Sequence, residues 1–426
     1  MKLKRNENKI STNCALLILL CFAVYFIAYL GRYSYSSNIN CIIDFFGVNK
    51  PSAGIVGTFF FIAYGIGQVV NGLLCKKYNP RYAIFLALIV SALTNVAFAL
   101  AGKEHFEFLK YFWFINGFAQ SVLWSSIIRL LNEHLPRSGL GMAIFVMALP
   151  VSFGTFVIYG LSALISAFAI SFKAVFVIAT VLLAIIAFVW FFAVDKLKLK
   201  CLAEKQGETM MEEEVKTATN SQNGLDKRFV FTFSVLAIFA IVNNLVKDGL
   251  TTWMPVLLKE KYALTNSLST FLTLFLPLFA VGGSTFAIFL NKKMKNYILS
   301  CGVLYLAAFA LFLGVIFTIN LPLWIFPLIC FILVACSMSG VNNLITNIFP
   351  MLYSHKINSG TLAGVLDGFC YVGSAITAYG LGAISDRADW NAVFYLFLGV
   401  CLLMILLCAV YTLITARVDK KAKLND

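Results

Sequence analysis

Charged side chains are scarce in this sequence, and histidine is scarcer. Asp, Glu, Lys and Arg make up 12% of its 426 residues, about half the share of a soluble globular protein. With 61% hydrophobic residues and a mean hydropathy of +0.88, there is more apolar surface than a water-soluble fold of this length can hide. His105, His134 and His355 are the only three histidines, far apart and in short loops, so neither a His-based metal centre nor a His-assisted reaction is assembled. Glycine-rich nucleotide loops are missing, which leaves ATP without a local binding signature. The eleven cysteines, Cys21, Cys75, Cys336 and Cys408 among them, lack metal-ligand spacing and read as small buried hydrophobes. No cofactor, no metal and no enzymatic activity are expected.

What is present is a succession of apolar runs of about 20 residues, each long enough to cross a bilayer. They place transmembrane helices near 13–37, 51–74, 82–101, 108–132, 139–168 and 173–194, then near 229–258, 265–290, 297–318, 322–350, 360–384 and 391–416. The first run has no small-residue cleavage site behind it and reads as a retained helix. The expected fold is an all-α polytopic membrane protein with 12 transmembrane helices. Lys and Arg concentrate in alternate loops, as in Lys76-Lys77-Tyr-Asn-Pro-Arg81, His134-Leu-Pro-Arg137 and Lys292-Lys293-Met-Lys295. The net charge of +14 is therefore a topology signal that puts both termini in the cytoplasm, and no nucleic acid is expected as a partner.

Composition breaks between 195 and 228, where Lys and Glu, including Glu212-Glu213-Glu214, replace apolar residues; such a stretch reads as a solvated linker. The chain divides into a cytoplasmic tail 1–12, a six-helix bundle 13–194, the cytoplasmic linker 195–228, a second six-helix bundle 229–416 and a tail 417–426. Basic loops after the second and eighth helices stand in matching positions, which implies two pseudo-symmetric bundles with a solute site between them near the midplane. Gly65, Gly67, Gly72, Gly364, Gly368 and Gly373 read as helix-packing points. Location in the plasma (inner) membrane as a multi-pass monomer follows.

An arginine inside a membrane helix costs about 3 kcal/mol on insertion scales and is rarely left facing lipid. Tyr25, Tyr29 and Arg32 stand at i, i+4 and i+7 of the first helix, on one face. That face implies an anion pathway, with a purely structural arginine as the other reading. Lys247 occupies the seventh helix as Arg32 occupies the first, so a pseudo-two-fold axis would make the two cations face each other around a small anionic solute. A snorkelling lysine, or a local pair with Asp248, is the competing reading. Asp367 in the eleventh helix, with Tyr371 at i+4 and Ser374 at i+7, has two readings, proton carrier or charge balance. Tyr64, Gln68, Gln120, Trp124, Asn342, Asn343 and Asn347 are further pore candidates. Arg129 and Glu133, at i and i+4, read as a structural pair.

Several motifs resemble a known family. Tyr25-x3-Tyr29-x2-Arg32, Tyr64-Gly-Ile-Gly-Gln68, Asn79-Pro80-Arg81, Lys247-Asp248-Gly249-Leu-Thr-Thr-Trp253-Met-Pro255, Ser359-Gly360-Thr-Leu-Ala-Gly364, Tyr371-Val-Gly373 and Asp386…Trp390 are similar, in order and spacing, to segments of the organophosphate:phosphate antiporters of the major facilitator superfamily. That resemblance, which covers nearly the whole membrane region, implies two helical halves that alternate access by rocking. It also implies exchange of an organic phosphate, such as a sugar phosphate or glycerol phosphate, for inorganic phosphate, bound by Arg32, Lys247 and the tyrosines. Departures from the family pattern are Lys247 in place of an arginine, Gln68 in place of a lysine, Met-Ala-Leu-Pro150 where a histidine occurs, and Cys75 in place of an aspartate. Two alternatives stand beside antiport: proton-coupled transport of another organic anion, with Asp367 or Asp248 titrating, and a non-transporting sensor of sugar phosphate.

Overall fold

The computed structural model describes residues 11–74, 77–209, 227–353 and 359–425. The basic stretch 1–5, Cys75, the Glu212–Glu214 run and the pair His355 and Lys356 lie outside them. The described residues form helices and no strand. They are α1 (Thr12–Ser37), α2 (Ile39–Phe46), α3 (Lys50–Leu74), α4 (Pro80–Leu100), α5 (Phe106–His134), α6 (Arg137–Met147), α7 (Leu149–Ala167), α8 (Lys173–Thr209), α9 (Lys227–Tyr262), α10 (Asn266–Thr273), α11 (Phe275–Met294), α12 (Tyr297–Thr318), α13 (Ile325–Asn343), α14 (Phe349–Leu352), α15 (Ser359–Arg387) and α16 (Trp390–Asn425). Among the described residues, eleven spans are long and apolar enough to cross a membrane. The remaining expected span corresponds to α5, whose 29 residues have the length of a crossing but carry Asn116, Gln120 and Ser121 turned into the bundle.

Helix boundaries follow local chemistry. Asn79 caps α4 by accepting from the Arg81 N–H at 3.0 Å, ahead of Pro80, and Asn296 caps α12 through the N–H groups of Ile298 and Leu299. Three expected spans are not continuous helices, and each break precedes a proline. The fifth divides into α6 and α7 at Ala148, just before Pro150, and the eighth into α10 and α11 at Leu274, before Pro277. The tenth passes through a π-helical turn, Leu344–Ile348, before Pro350. A proline supplies no N–H to the carbonyl four residues back, so the backbone re-pairs locally; the Ala148 N–H bonds Phe145 O at 3.2 Å, one residue tighter than an α-helix.

Two further boundaries differ from expectation. The sixth helix continues past 194 to Thr209, 37 residues in all and about 55 Å long, because Asp195 is tied to Arg81 and to Lys198 at 2.6 Å. The stretch after the first helix holds α2, which buries Ile39, Asn40, Ile42 and Phe46 and ends at Gly47 in a left-handed conformation, φ +66°.

The helices form two groups, α1–α8 and α9–α16. Each has an apolar core, Leu17, Val24, Leu88, Leu123 and Leu183 in the first and Phe239, Tyr305, Phe312, Phe331 and Met338 in the second, which Ile39 and Ala53 of the first group join. Large apolar side chains such as Phe118, Phe192, Phe289 and Phe317 remain on the outside, where lipid rather than water is their solvent. Close approach between the groups runs along α3 and α15. A Cβ on Gly54 would strike the backbone of Ala378, so only glycine lets these helices meet there. Gly65, Gly67, Gly368 and Gly373 also sit against neighbours, whereas a Cβ on Gly72 or Gly364 would meet open space; packing does not account for those two.

Candidate functional site

Arg32 is 5% exposed and lies in a cage of six rings. Its guanidinium carbon is 4.5 Å from the ring centre of Tyr64, 5.1 Å from Phe60, 5.2 Å from Tyr29 and Tyr371, 5.7 Å from Tyr33 and 5.8 Å from Phe61. Its hydrogen bonds are weak: Nη1 donates to the hydroxyls of Tyr29 and Tyr371, both at 3.4 Å. The Nε has no partner, and no carboxylate among the described residues pairs with this cation. Ring quadrupoles stabilise a desolvated cation by about 2 kcal/mol each at best, yet they accept none of its forked N–H groups. The cage draws on α1, α3 and α15, so it closes only when the two groups are together.

Lys247 on α9 is half-buried, with no hydrogen-bond or ion-pair partner among the described residues, and it lies near enough to act electrostatically on Tyr29 of α1 and on Asp367. The local pair with Asp248 does not form. Asp248 is 5% exposed and accepts instead from Ser374 Oγ and, at 3.3 Å, from Asn244 Nδ2. Asp367 accepts from Gln68 Nε2 at 3.3 Å, across the two groups. Two cations and two carboxylates thus lie where the halves meet without an ion pair among them.

Residues 21–376 match the Major Facilitator Superfamily. The chain belongs to that superfamily. It is 25% identical to a protein of Chlamydia muridarum named "Probable hexose phosphate transport protein", over 90% of this chain and 88% of that one. It is 23% identical to the glycerol-3-phosphate transporter of Bacillus subtilis, over 98% and 96% of the two chains. Among solved structures it resembles a bacterial homologue of the human lysosomal transporter Spinster in an inward-facing, occupied conformation, with a TM-score of 0.71 at 14% identity over 96% and 98%; at that identity the likeness is one of fold.

In this superfamily member the residues singled out from sequence divide by location. Tyr29, Tyr64 and Tyr371 line the Arg32 cage. Tyr25 stands behind it, its ring centre 5.1 Å from Tyr29 and 5.3 Å from Trp124. Asp367 and Gln68 bond each other. Tyr371 and Ser374 share a helix face but serve different neighbours, Tyr371 the cage and Ser374 Asp248. Gln120 is no pore residue: it is 2% exposed and donates to Ser91 Oγ at 2.8 Å and Asn116 Oδ1 at 3.1 Å, inside the first half. Asn343 ties α13 to Ser284 O at 3.3 Å. The Arg129–Glu133 pair forms, at 2.7 Å.

Sequence reading missed Tyr33, Phe60 and Phe61, because an aromatic in an apolar run carries no sign that it faces a cation. It also missed how the halves are fastened at one end. Lys50, 8% exposed, reaches Glu260 Oε2 at 3.0 Å, Asp386 Oδ1 at 3.8 Å and Ser385 O at 3.3 Å. Asp44 receives Lys259 at 2.6 Å and Asn266 at 3.0 Å. Asn40 donates to Pro255 O at 2.9 Å. The sequence places Lys50 in a short loop between the first two helices and gives no hint of partners more than 200 positions away.

Proposed function

We propose that the protein is a secondary transporter of a small organic anion, an organophosphate such as a sugar phosphate or glycerol phosphate exchanged for inorganic phosphate by alternating access. The observation that carries this reading is the buried Arg32 guanidinium, with no carboxylate and an unpartnered Nε. A guanidinium fork fits two oxygens of a phosphoryl group, and Lys247 would add a point charge. Tyr25, Tyr29, Tyr64, Tyr371, Gln68 and Trp124 would complete the binding surface. Relatives named for hexose phosphate and glycerol 3-phosphate support the solute class, as does the motif resemblance.

On this reading the bundles 13–194 and 229–416 rock against each other, 195–228 tethers them on the cytoplasmic side together with both termini, and the end fastened by Lys50 and Asp44 is the outer one. The plasma (inner) membrane is the proposed location, and a monomer the working unit. The test is counterflow. Proteoliposomes preloaded with inorganic phosphate should take up labelled sugar or glycerol phosphate, with little uptake when empty. The two carboxylates without cations favour a second reading, proton-coupled transport with Asp367 or Asp248 carrying the proton. Uptake into phosphate-free vesicles under an imposed pH gradient would establish it and remove antiport. Binding of sugar phosphate with no flux in either assay would identify a sensor instead.

A further inference from the structure

Beside Lys247 the second half carries a cluster of polar side chains whose hydrogen-bonding capacity is not filled. Asp248 uses its carboxylate on two neutral neighbours, Ser374 and Asn244, although a carboxylate offers about four lone-pair sites. Asn243, 0% exposed, donates through Nδ2 to Asn244 Oδ1 at 3.2 Å and Asn342 Oδ1 at 3.4 Å, and its own carbonyl Oδ1 has no partner. The hydroxyls of Thr252 and Thr377, 4% and 1% exposed, are also unpartnered. Thr252 stands one turn after Asp248 on α9, and Thr377 one turn after Ser374 on α15, so the orphan groups extend the same two helix faces. Asp248 lies near enough to the other half to act electrostatically on Tyr33 of α1 and Tyr159 of α7. Tyr33 stacks on Tyr29 at 5.8 Å, at the edge of the Arg32 cage.

We infer that Asp248, with Asn243, accepts hydrogen bonds from the hydroxyl groups of the solute, so that the site selects phosphate esters of neutral polyols over phosphate esters that carry a carboxylate. The inference rests on the proposed phosphate transport and deepens it. Hydroxyl hydrogens fill the empty acceptor sites and bring acceptors of their own for Thr252 and Thr377. A second carboxylate would meet Asp248 at close range in a poorly solvated space, where like charges repel strongly.

The experiment is exchange of labelled inorganic phosphate in proteoliposomes, with inhibition by glucose 6-phosphate, glycerol 3-phosphate, 3-phosphoglycerate and phosphoenolpyruvate. In the native protein the two polyol phosphates should inhibit at concentrations about tenfold lower than the two carboxylated ones, the effect of about one hydrogen bond to a charged acceptor. Asp248→Asn removes the charge and retains the shape. It should shrink that ratio to about threefold or less, with the carboxylated esters improving in absolute terms, which a merely structural loss does not produce. Equal inhibition by all four esters in the native protein overturns the inference without any variant, and so does an unchanged ratio in Asp248→Asn. If phosphate exchange is absent, or no ester inhibits it, the transport reading itself fails.

Discussion

Arg32 concentrates the chemistry of the molecule in one side chain. Six rings hold the guanidinium and two phenols accept from its Nη1 at 3.4 Å, but its Nε has no partner. Arg32→Lys keeps the charge and removes the bidentate geometry, so phosphate counterflow should fall by about tenfold to a hundredfold, the range of one or two charge-assisted hydrogen bonds. Monodispersity in detergent should be retained, and near-native uptake by that variant would remove Arg32 from the site. Lys247 has no side-chain partner among the described residues to lose, so Lys247→Ala should raise the KM for phosphate by about tenfold, while Lys247→Arg should remain active. Measuring both variants separates a binding charge from a snorkelling one, since a snorkelling lysine tolerates alanine. At this scale the sequence was most informative for charges: Arg32, Lys247, Asp248 and Asp367 stand out because ions are rare in apolar runs. It was least informative for Tyr33, Phe60 and Phe61, which look like their lipid-facing neighbours until the fold turns them inward.

Prolines shape the helices where the two halves meet. Pro255 lies inside α9 and cannot bond the carbonyl of Thr251, one turn back. Tyr159 of α7 donates to that carbonyl at 2.7 Å, so a vacancy in one helix becomes a fastening point for the other half. Tyr159 is 0% exposed, and Tyr159→Phe leaves the freed carbonyl without a donor. The expected cost is about 1–3 kcal/mol, read as a lowered midpoint of thermal unfolding in detergent; an unchanged midpoint would mean the carbonyl finds another donor. Helix existence and approximate span were legible from hydropathy alone. The breaks themselves were not, because whether a proline kinks, splits or merely bends a helix depends on what neighbours supply to the freed carbonyls.

For the whole molecule, the charged contacts around Lys50 and Asp44 join the two halves at one end. Every partner of these two side chains named above lies in the other half, so exposing the site at this end requires that they separate. Lys50→Ala leaves Glu260 and Asp386 without their cation. It should shift the balance toward the alternative conformation by about tenfold, the weight of about one partly buried ion pair. The measurement is modification of a Thr252→Cys variant, in a background freed of native cysteines, by a membrane-impermeant maleimide applied from the fastened side. Faster labelling is expected, with recovery when the pair is restored in reversed order as Lys50→Glu with Glu260→Lys. Labelling unaffected by Lys50→Ala would show that apolar packing of α3 on α15 alone keeps this end shut.

By itself the sequence determined the solvent and the plan of this protein. Apolar runs of spanning length admit only helices in a bilayer, since every backbone polar group must be satisfied within its own segment, and sparse charges in such runs mark the residues a solute can use. Tertiary structure alone decided that no carboxylate among the described residues meets Arg32, that Asp248 turns to Ser374 rather than to Lys247, and that Gln120 belongs to the packing of the first half. Those outcomes depend on which helix faces are brought together, across 29 positions of chain for Gln120 and Ser91, 126 for Asp248 and Ser374 and 339 for Arg32 and Tyr371, and a one-dimensional pattern carries the face of each helix but not its partner.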